Sequence, residues 1–261
     1  MTLPPTERGE SEAFRSLVSG AGGGHVLELD DALCLAFAQM PGSAMMNRAL
    51  GLTAAAHLDA VAAFFAGVGT AYAVTVTPGA FELADELERR GFRRGYAWTK
   101  FERRATPPPA VETELRVEQA DAASRADFTG VFERAYGTPA VLRPILERLP
   151  TLEHWRCFIA YDGAKPAATA AVFLAGDVAW FGIAGTLPEL RGRGAQNALL
   201  AARVEAAREA GCSVLVTETG APVDGKPGPS YRNIVRAGFE PVYVRENYLS
   251  SADADTSGTR A

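Results

Sequence analysis

Through the second half of the chain the spacing of apolar and polar positions changes period repeatedly, and each change marks an expected element. LRVEQA (115–120) alternates as a strand does, while ADFTGVFERAYG (126–137) and PAVLRPILERL (139–149) read as helices. The run from His154 to Gly185 divides into three apolar strands at two hairpin signals, Asp162-Gly163 and Gly176-Asp177. A loop, LPELRGRG, leads into an amphipathic helix over about 195–210 that stops at Gly211, a residue suited to the left-handed position past a helix end. The β-branched run SVLVTET predicts another strand, PSYRNIVRA a helix ended by Gly238, and FEPVYVRENYL a closing strand or hairpin. The order β-α-α-β-β-β-α-β-α-β predicts an α/β fold of the α+β kind, a mixed sheet flanked by helices.

The first half repeats part of this pattern. ERRGFRRGYAWTKFERR aligns with VRAGFEPVYVRENYL, so that Gly91-Phe92, Tyr96 and Phe101 fall opposite Gly238-Phe239, Tyr243 and Tyr248 at a constant offset of 147. Upstream of each lies a strand, AYAVTVTPGA or SVLVTETGA, and before that a helix ending in glycine, FFAGVG or AAREAG. Two related units are therefore expected. They differ before that helix, where LRGRGAQNALL in the second half stands against GLTAAAHLDAV in the first, which lacks the arginines and the glycine loop. Polar residues 1–24 and 251–261 lack an apolar period and read as flexible tails. Pro107 to Pro109 exclude helix interior and predict an extended linker at 105–113, separating a unit at 25–104 from one at 114–250.

Composition narrows the classes. With 261 residues, 48% hydrophobic and 22% charged, the chain is globular, and 26 Lys+Arg against 31 Asp+Glu leave a net charge of −5, without the basic excess of a nucleic-acid binder. The start, MTLPPTERGE, lacks the features of a signal peptide, and no apolar stretch is long enough to cross a bilayer, so no membrane association is expected. Cys34, Cys157 and Cys212 are widely spaced among apolar residues, which favours reduced thiols and a cytoplasmic location. His25, His57 and His154 have no second ligand three or four residues away, so no metal site is expected.

The segment from Arg191 to Gln196 concentrates the chemistry. It lies between a strand and a helix, so its backbone N–H groups and the helix dipole can meet an anion, and Arg191 and Arg193 add full charges. It is neither G-x-x-x-x-G-K-[ST] nor G-x-G-x-x-G. With its context it resembles motif A of the GNAT superfamily of N-acetyltransferases, [RQ]-x-x-G-x-[GA]: Arg191 and Gly194 match, and Gln196 stands where Gly or Ala is usual. WFGIAGTLPEL looks like that family's fourth strand and its exit, and SYRNIVRAGFEPV resembles its motif B. The likeness covers about 114–250 by motif and element order, and about 25–104 only in its second half, which gives two GNAT-like units, each a mixed, mostly antiparallel sheet, the N-terminal one degenerate.

The resemblance implies acetyl-CoA in a cleft where the fourth and fifth strands splay apart. Ile183, Ala184 and Gly185 would offer backbone groups to the pantetheine and, through one N–H, to the thioester oxygen. Arg191, Gly192, Arg193, Gly194, Ala195 and Gln196 would hold the pyrophosphate, and Asn233, with Ser230 and Tyr231 near the same mouth, would reach the pantetheine or phosphate side. Ser230 equally fits a helix N-cap. Acetyl transfer to an amine needs a proton acceptor, for which Glu218 at the end of the fifth strand is placed, or else it is an exposed strand-end carboxylate. Many family members carry a tyrosine acid where this chain has Ile234; Tyr231, one turn back, is the substitute, or else a packed tyrosine. The implied function is an N-acetyltransferase moving an acetyl group from acetyl-CoA to a primary amine in a ternary complex, with no metal. The competing reading is a non-catalytic acyl-CoA-binding or sensing protein of the same fold. The acceptor is not legible, and the sheet edges of such a fold are compatible with a homodimer.

Overall fold

A computed structural model of the protein describes residues 3–30 and 32–250. The chain forms two compact units: within the described residues, one takes 3–100, 219–226 and 242–250, the other 101–218 and 227–241. Among the described residues no helix is long and apolar enough to cross a membrane.

The first unit contains α1 (Pro5–Ala21), β1 (His25–Leu29), β2 (Ala32–Ala36), β3 (Arg48–Leu50), α2 (Leu58–Val68), β4 (Ala73–Val76), α3 (Phe81–Arg89) and the start of β5 (Arg93–Arg104). β1–β2 and β2–β3 are antiparallel and β3–β4 is parallel. Phe65 stacks on Tyr72 at 4.0 Å in its apolar core, with Val61, Leu83 and Leu87 fully buried around them.

The N-terminal segment is not the expected tail. Pro5 opens α1 at a position that needs no N–H, and Ala13, Leu17 and Val18 are buried along it. Glu7 and Glu10, polar positions in that segment, are buried, and partners far along the chain satisfy them. Glu10 accepts from Arg48 at 3.1 Å, Lys100 at 2.9 Å and Arg245. Glu7 accepts from Arg245 at 2.7 Å and from the phenol of Tyr243 at 2.5 Å, which also pairs with Thr6. Burial by itself would raise the Glu10 pKa, but Arg245, Lys100 and Arg48 outweigh it and hold the carboxyl well below its usual range. Burial and the Glu7 carboxylate push the Tyr243 phenol upward. The expected tail at 251–261 lies outside the described residues.

The second unit contains β6 (Arg116–Gln119), α4 (Arg125–Tyr136), α5 (Arg143–Arg148), β7 (Trp155–Asp162), β8 (Lys165–Ala175), β9 (Val178–Thr186), α6 (Ala195–Glu209), β10 (Val214–Gly220), α7 (Pro229–Arg236) and the start of β11 (Glu240–Leu249). The strand order β10-β9-β8-β7-β6 is antiparallel throughout except for the parallel pair β9–β10. Phe158, Ala170, Val172 and Phe181 face α6 and α7, with Leu199, Val204 and Ile234 in the same core. Their neighbours Thr169, Ala171 and Trp180 alternate to the other face, where α4 packs on β8 and β9.

Both halves run α-β-β-β-α-β-α-β from α1 and α4, apart from the extra α5, with the same pairing directions among corresponding strands. Gly91 and Gly238, aligned in sequence, both take left-handed φ values, +86° and +84°. The units do not follow the contiguous boundaries 25–104 and 114–250, because the last strands divide: Phe101–Arg104 of β5 belongs to the second unit, and Glu246–Leu249 of β11 pairs with β4 in the first. The proline stretch at 105–113 has neither helix nor strand, and it is fastened to the second unit: Arg103 donates to the Pro107 carbonyl at 2.7 Å and Thr113 to the Arg193 carbonyl at 2.8 Å.

Replacing Glu10 by Gln is expected to lower the unfolding free energy by about 3–5 kcal/mol, since buried cations lose their carboxylate. The folded pKa of Glu10 lies below the unfolded one, so its contribution is complete above the unfolded value of about 4.3 and is lost as pH falls toward the folded one. Denaturant midpoints should therefore fall more steeply on acidification below about 4.3 for the wild type than for the variant; equal slopes would contradict the assignment.

Candidate active site

The site begins with an interruption in the sheet. β8 and β9 pair up to Ala171↔Gly182 and resume at Thr169↔Gly185, so that Ile183 and Ala184 together oppose Ala170 in a β-bulge. On its other side β9 pairs in parallel with β10 from Val214↔Val178 to Thr217↔Phe181, and there the ladder stops, with Thr217 Oγ1 donating to the Phe181 carbonyl at 2.9 Å. Past that point, the backbone groups of β9 that face β10 have no strand partner, and Gly182, Ile183 and Ala184 are half-buried. Ile183 has φ +49°, unusual for a β-branched residue and a place where the bulge holds strain.

Close packing explains the residues around the bulge. A Cβ on Gly182 would lie 2.0 Å from Cη2 of Trp180, whose indole folds beneath that backbone. One on Gly185 would lie 2.9 Å from the Tyr136 ring at the end of α4. The Tyr136 phenol donates to the Ala184 carbonyl at 2.5 Å. Its pKa is raised by burial, with nearby Arg191 pulling the other way.

Beyond β9 the chain turns through 187–194 into α6. Gly194 precedes the helix at φ +83° and has no capping side chain, so the N–H groups of Ala195, Gln196 and Asn197 point out of the helix without a side-chain acceptor. The linker holds this turn: a Cβ on Gly194 would meet Thr113 Cβ at 3.2 Å and the Glu112 carbonyl at 3.3 Å. Together with the dipole of α6, these groups suit a doubly negative phosphate group.

The structure brings Ile183, Ala184 and Gly185 together at the bulge, and places the stretch from Arg191 through Gly192 and Ala195 to Gln196 at the start of α6. Arg193 departs from expectation in its side chain, which pairs with both oxygens of Asp162; this bond raises the Arg193 pKa and lowers that of Asp162. Glu218 is the first residue past the last β9–β10 pair, half-buried at the splay. On α7, Gly228 is the N-cap and Pro229 the first helical residue, so Ser230 lies inside the helix and is not its cap. Asn233 accepts from Arg236 at 2.9 Å, and Tyr231 packs its ring edge against Phe101 at 4.9 Å in the core shared with α6. Tyr136 was not legible as a site residue. Its one sequence signal is a tyrosine at a helix end just before Gly137, while its partner Ala184 is 48 residues away.

Gly182→Ala is expected to destabilise the protein by about 1–3 kcal/mol through collision with Trp180. Gly130→Ala, in the interior of α4 where a Cβ meets nothing within 4 Å, should instead stabilise it by about 0.5–1 kcal/mol. Thermal denaturation of the two variants checks both signs.

A family model for an acetyltransferase (GNAT) domain matches residues 85–221. Among solved structures, a GCN5-related N-acetyltransferase from Kribbella flavida superposes with a TM-score of 0.62 at 16% identity, over 92% of this chain and 94% of that one. Another from Sphaerobacter thermophilus gives 0.62 at 15% identity, over 94% and 91%. A tandem GNAT protein from the clavulanic acid biosynthesis pathway gives 0.56 at 17%, over 84% and 77%. At these identities the likeness is one of fold. No curated protein matches the sequence. The family match spans more than half of the chain and contains the bulge, the glycine turn and α6, and the chain belongs to the GNAT acetyltransferase family.

Proposed function

We propose that the second unit binds acetyl-CoA and transfers its acetyl group to a primary amine by direct attack in a ternary complex. The observation that carries this reading is the splay of β9 from β10 after Thr217↔Phe181, with a bulge on one side of the opening and the uncapped start of α6 beyond it. Unpartnered strand backbone suits an amide-bearing pantetheine arm, and the helix start suits a pyrophosphate. Backbone N–H groups of Ile183 to Gly185 would polarise the thioester carbonyl, and those from Gly192 to Gln196, with Arg191, would hold the phosphates. The Arg193 side chain, paired with Asp162, would serve by fixing the turn.

Glu218 is our candidate to take the proton of the incoming ammonium, directly or through water. Tyr231 is our candidate proton donor to the departing sulfur, with Asn233 and Ser230 toward the phosphate side of α7. We read the first unit as a degenerate GNAT-like copy, supported by its matching topology and by the absence of arginine from the segment 51–57 that leads into α2. Cys34, Cys157 and Cys212 are buried and form no disulfide, which supports the reading of a cytoplasmic location.

Calorimetric titration of acetyl-CoA should show one site per chain in the wild type and none in Gly194→Glu, where a carboxylate would repel phosphate and crowd Thr113. Absence of binding to the folded wild type would overturn the proposal, and two sites would overturn the degenerate first unit. Once an amine substrate is identified, Glu218→Gln should keep acetyl-CoA affinity and lower turnover about 10²-fold or more; unchanged turnover would remove Glu218 from the mechanism.

A further inference from the structure

The core of the second unit contains a cation that no part of this reading uses. Arg203, on α6, is 2% exposed. Its Nε donates to the Leu199 carbonyl one turn back at 3.1 Å, its Nη1 to the Ala171 carbonyl at 3.2 Å, and its guanidinium lies 4.9 Å from the centre of the Phe181 ring. Among the described residues no carboxylate pairs with it. Of the elements packed most closely against α6, β9 has no ionisable side chain, β8 only Lys165 and α7 no acid, while Glu118 of β6 and Asp162 of β7 are engaged by Arg116 and Arg193; Glu218 of β10, which shares this core through Leu215, lies past the last β9–β10 pair. Along α6 itself, Glu205 pairs with Arg208 at 2.5 Å, and Glu209 is exposed in the last turn. Burial pushes the guanidinium down to about 9, which leaves it charged at neutral pH.

A buried charge without a counter-charge is costly, and an apolar side chain of similar volume would pack there at no such cost. Its place in the fold suggests what offsets that cost. Ala171 is the residue paired with Gly182, the last position of β9 before the bulge, and Phe181 is the last residue of β9 paired with β10. Arg203 thus bonds the β8 backbone and lies against a β9 side chain just before the bulge and the end of the β9–β10 ladder, eight residues and roughly 12 Å along the helix from its phosphate-suited start. A molecule with its pyrophosphate at that start and its thioester at the bulge would bring its sulfur toward this cation.

We propose that Arg203 is a positioning residue that holds the β8 backbone and the Phe181 ring of β9 beside the bulge and sets a positive charge there, favouring the thiolate form of coenzyme A bound at the site. The inference rests on the acetyl-CoA reading of the same site. When the amine nitrogen bonds to the acetyl carbon, the C–S bond breaks with its electron pair on sulfur, and the amine proton passes to Glu218 or water. The buried charge stabilises the sulfur anion until it takes a proton from Tyr231 or solvent. This lessens the demand for a proton donor on α7, where Ile234 is apolar and the Tyr231 ring is packed against Phe101.

The test is a pH titration of coenzyme A bound to the protein, following the ultraviolet absorbance of the thiolate, in the wild type, Arg203→Lys, Arg203→Gln and Arg203→Met. In the wild type the bound thiol should titrate below free coenzyme A. In Arg203→Gln, which keeps a donor but not the charge, its pKa should rise by about one unit or more, and Arg203→Lys should retain most of the wild-type value. Arg203→Met should raise it likewise while leaving the melting temperature unchanged or higher. If Arg203→Met does not fold, the glutamine variant decides the matter. A thiol that titrates alike in wild type and Arg203→Gln, or a lowered melting temperature as the sole effect, would overturn the proposal and leave the acetyl-CoA reading standing. Failure of coenzyme A to bind the folded wild type would overturn both.

Discussion

A backbone amide or carbonyl withdrawn from water needs a hydrogen-bond partner, and in the second unit one stretch of β9 gets none from the strand beside it. The parallel ladder to β10 ends at Thr217↔Phe181, while the antiparallel ladder to β8 continues past a bulge at Ile183 and Ala184. The rest of the candidate site is arranged around that stretch. Trp180 lies beneath Gly182, Tyr136 takes the Ala184 carbonyl from the α4 side, and Arg203 takes the Ala171 carbonyl from the α6 side. The opening is therefore held from both faces, so its unpaired groups keep one geometry suited to an amide-bearing ligand.

The two units treat buried charge in different ways. In the first, Arg48, Lys100 and Arg245 converge on Glu7 and Glu10, so each cation faces a carboxylate counter-charge. That cluster ties α1 to strands from both ends of the chain, which is an ordinary structural use of paired ions. In the second, among the described residues, Arg203 is met by carbonyl dipoles and an aromatic face and by no carboxylate. A lone guanidinium is a poor way to stabilise a core, and its contacts with Ala171 and Phe181 beside the bulge are what motivate the proposed role in meeting negative charge.

The glycine turn connects the two ends of the site. Gly194 takes a left-handed φ directly before α6, and Thr113 and Glu112 of the proline-rich stretch press against it. That stretch therefore works as a brace within the second unit, and the turn it braces leaves the first N–H groups of α6 facing outward. The motif supplies the conformation, and packing from a segment some 80 residues upstream supplies the rigidity.

Several features were legible in the residues because their causes are local. Glycines at helix ends, hairpin signals at Asp162-Gly163 and Gly176-Asp177, β-branched strands and the offset of 147 between the halves each depend on neighbours a few positions away, and with them came the mixed sheet, the glycine turn and the family. Features with distant causes were not legible. α1 looked like a solvated tail because the partners of Glu7 and Glu10 lie as far off as Arg245. The division of β5 and β11 between units depends on strand pairing, which a linear boundary cannot express. Tyr136 and Arg203 look in sequence like any helical tyrosine and any surface arginine. Only the tertiary structure decided that one meets the bulge and the other the strands beside it, because hydrogen bonding and burial act between residues that are close in space, whatever their separation along the chain.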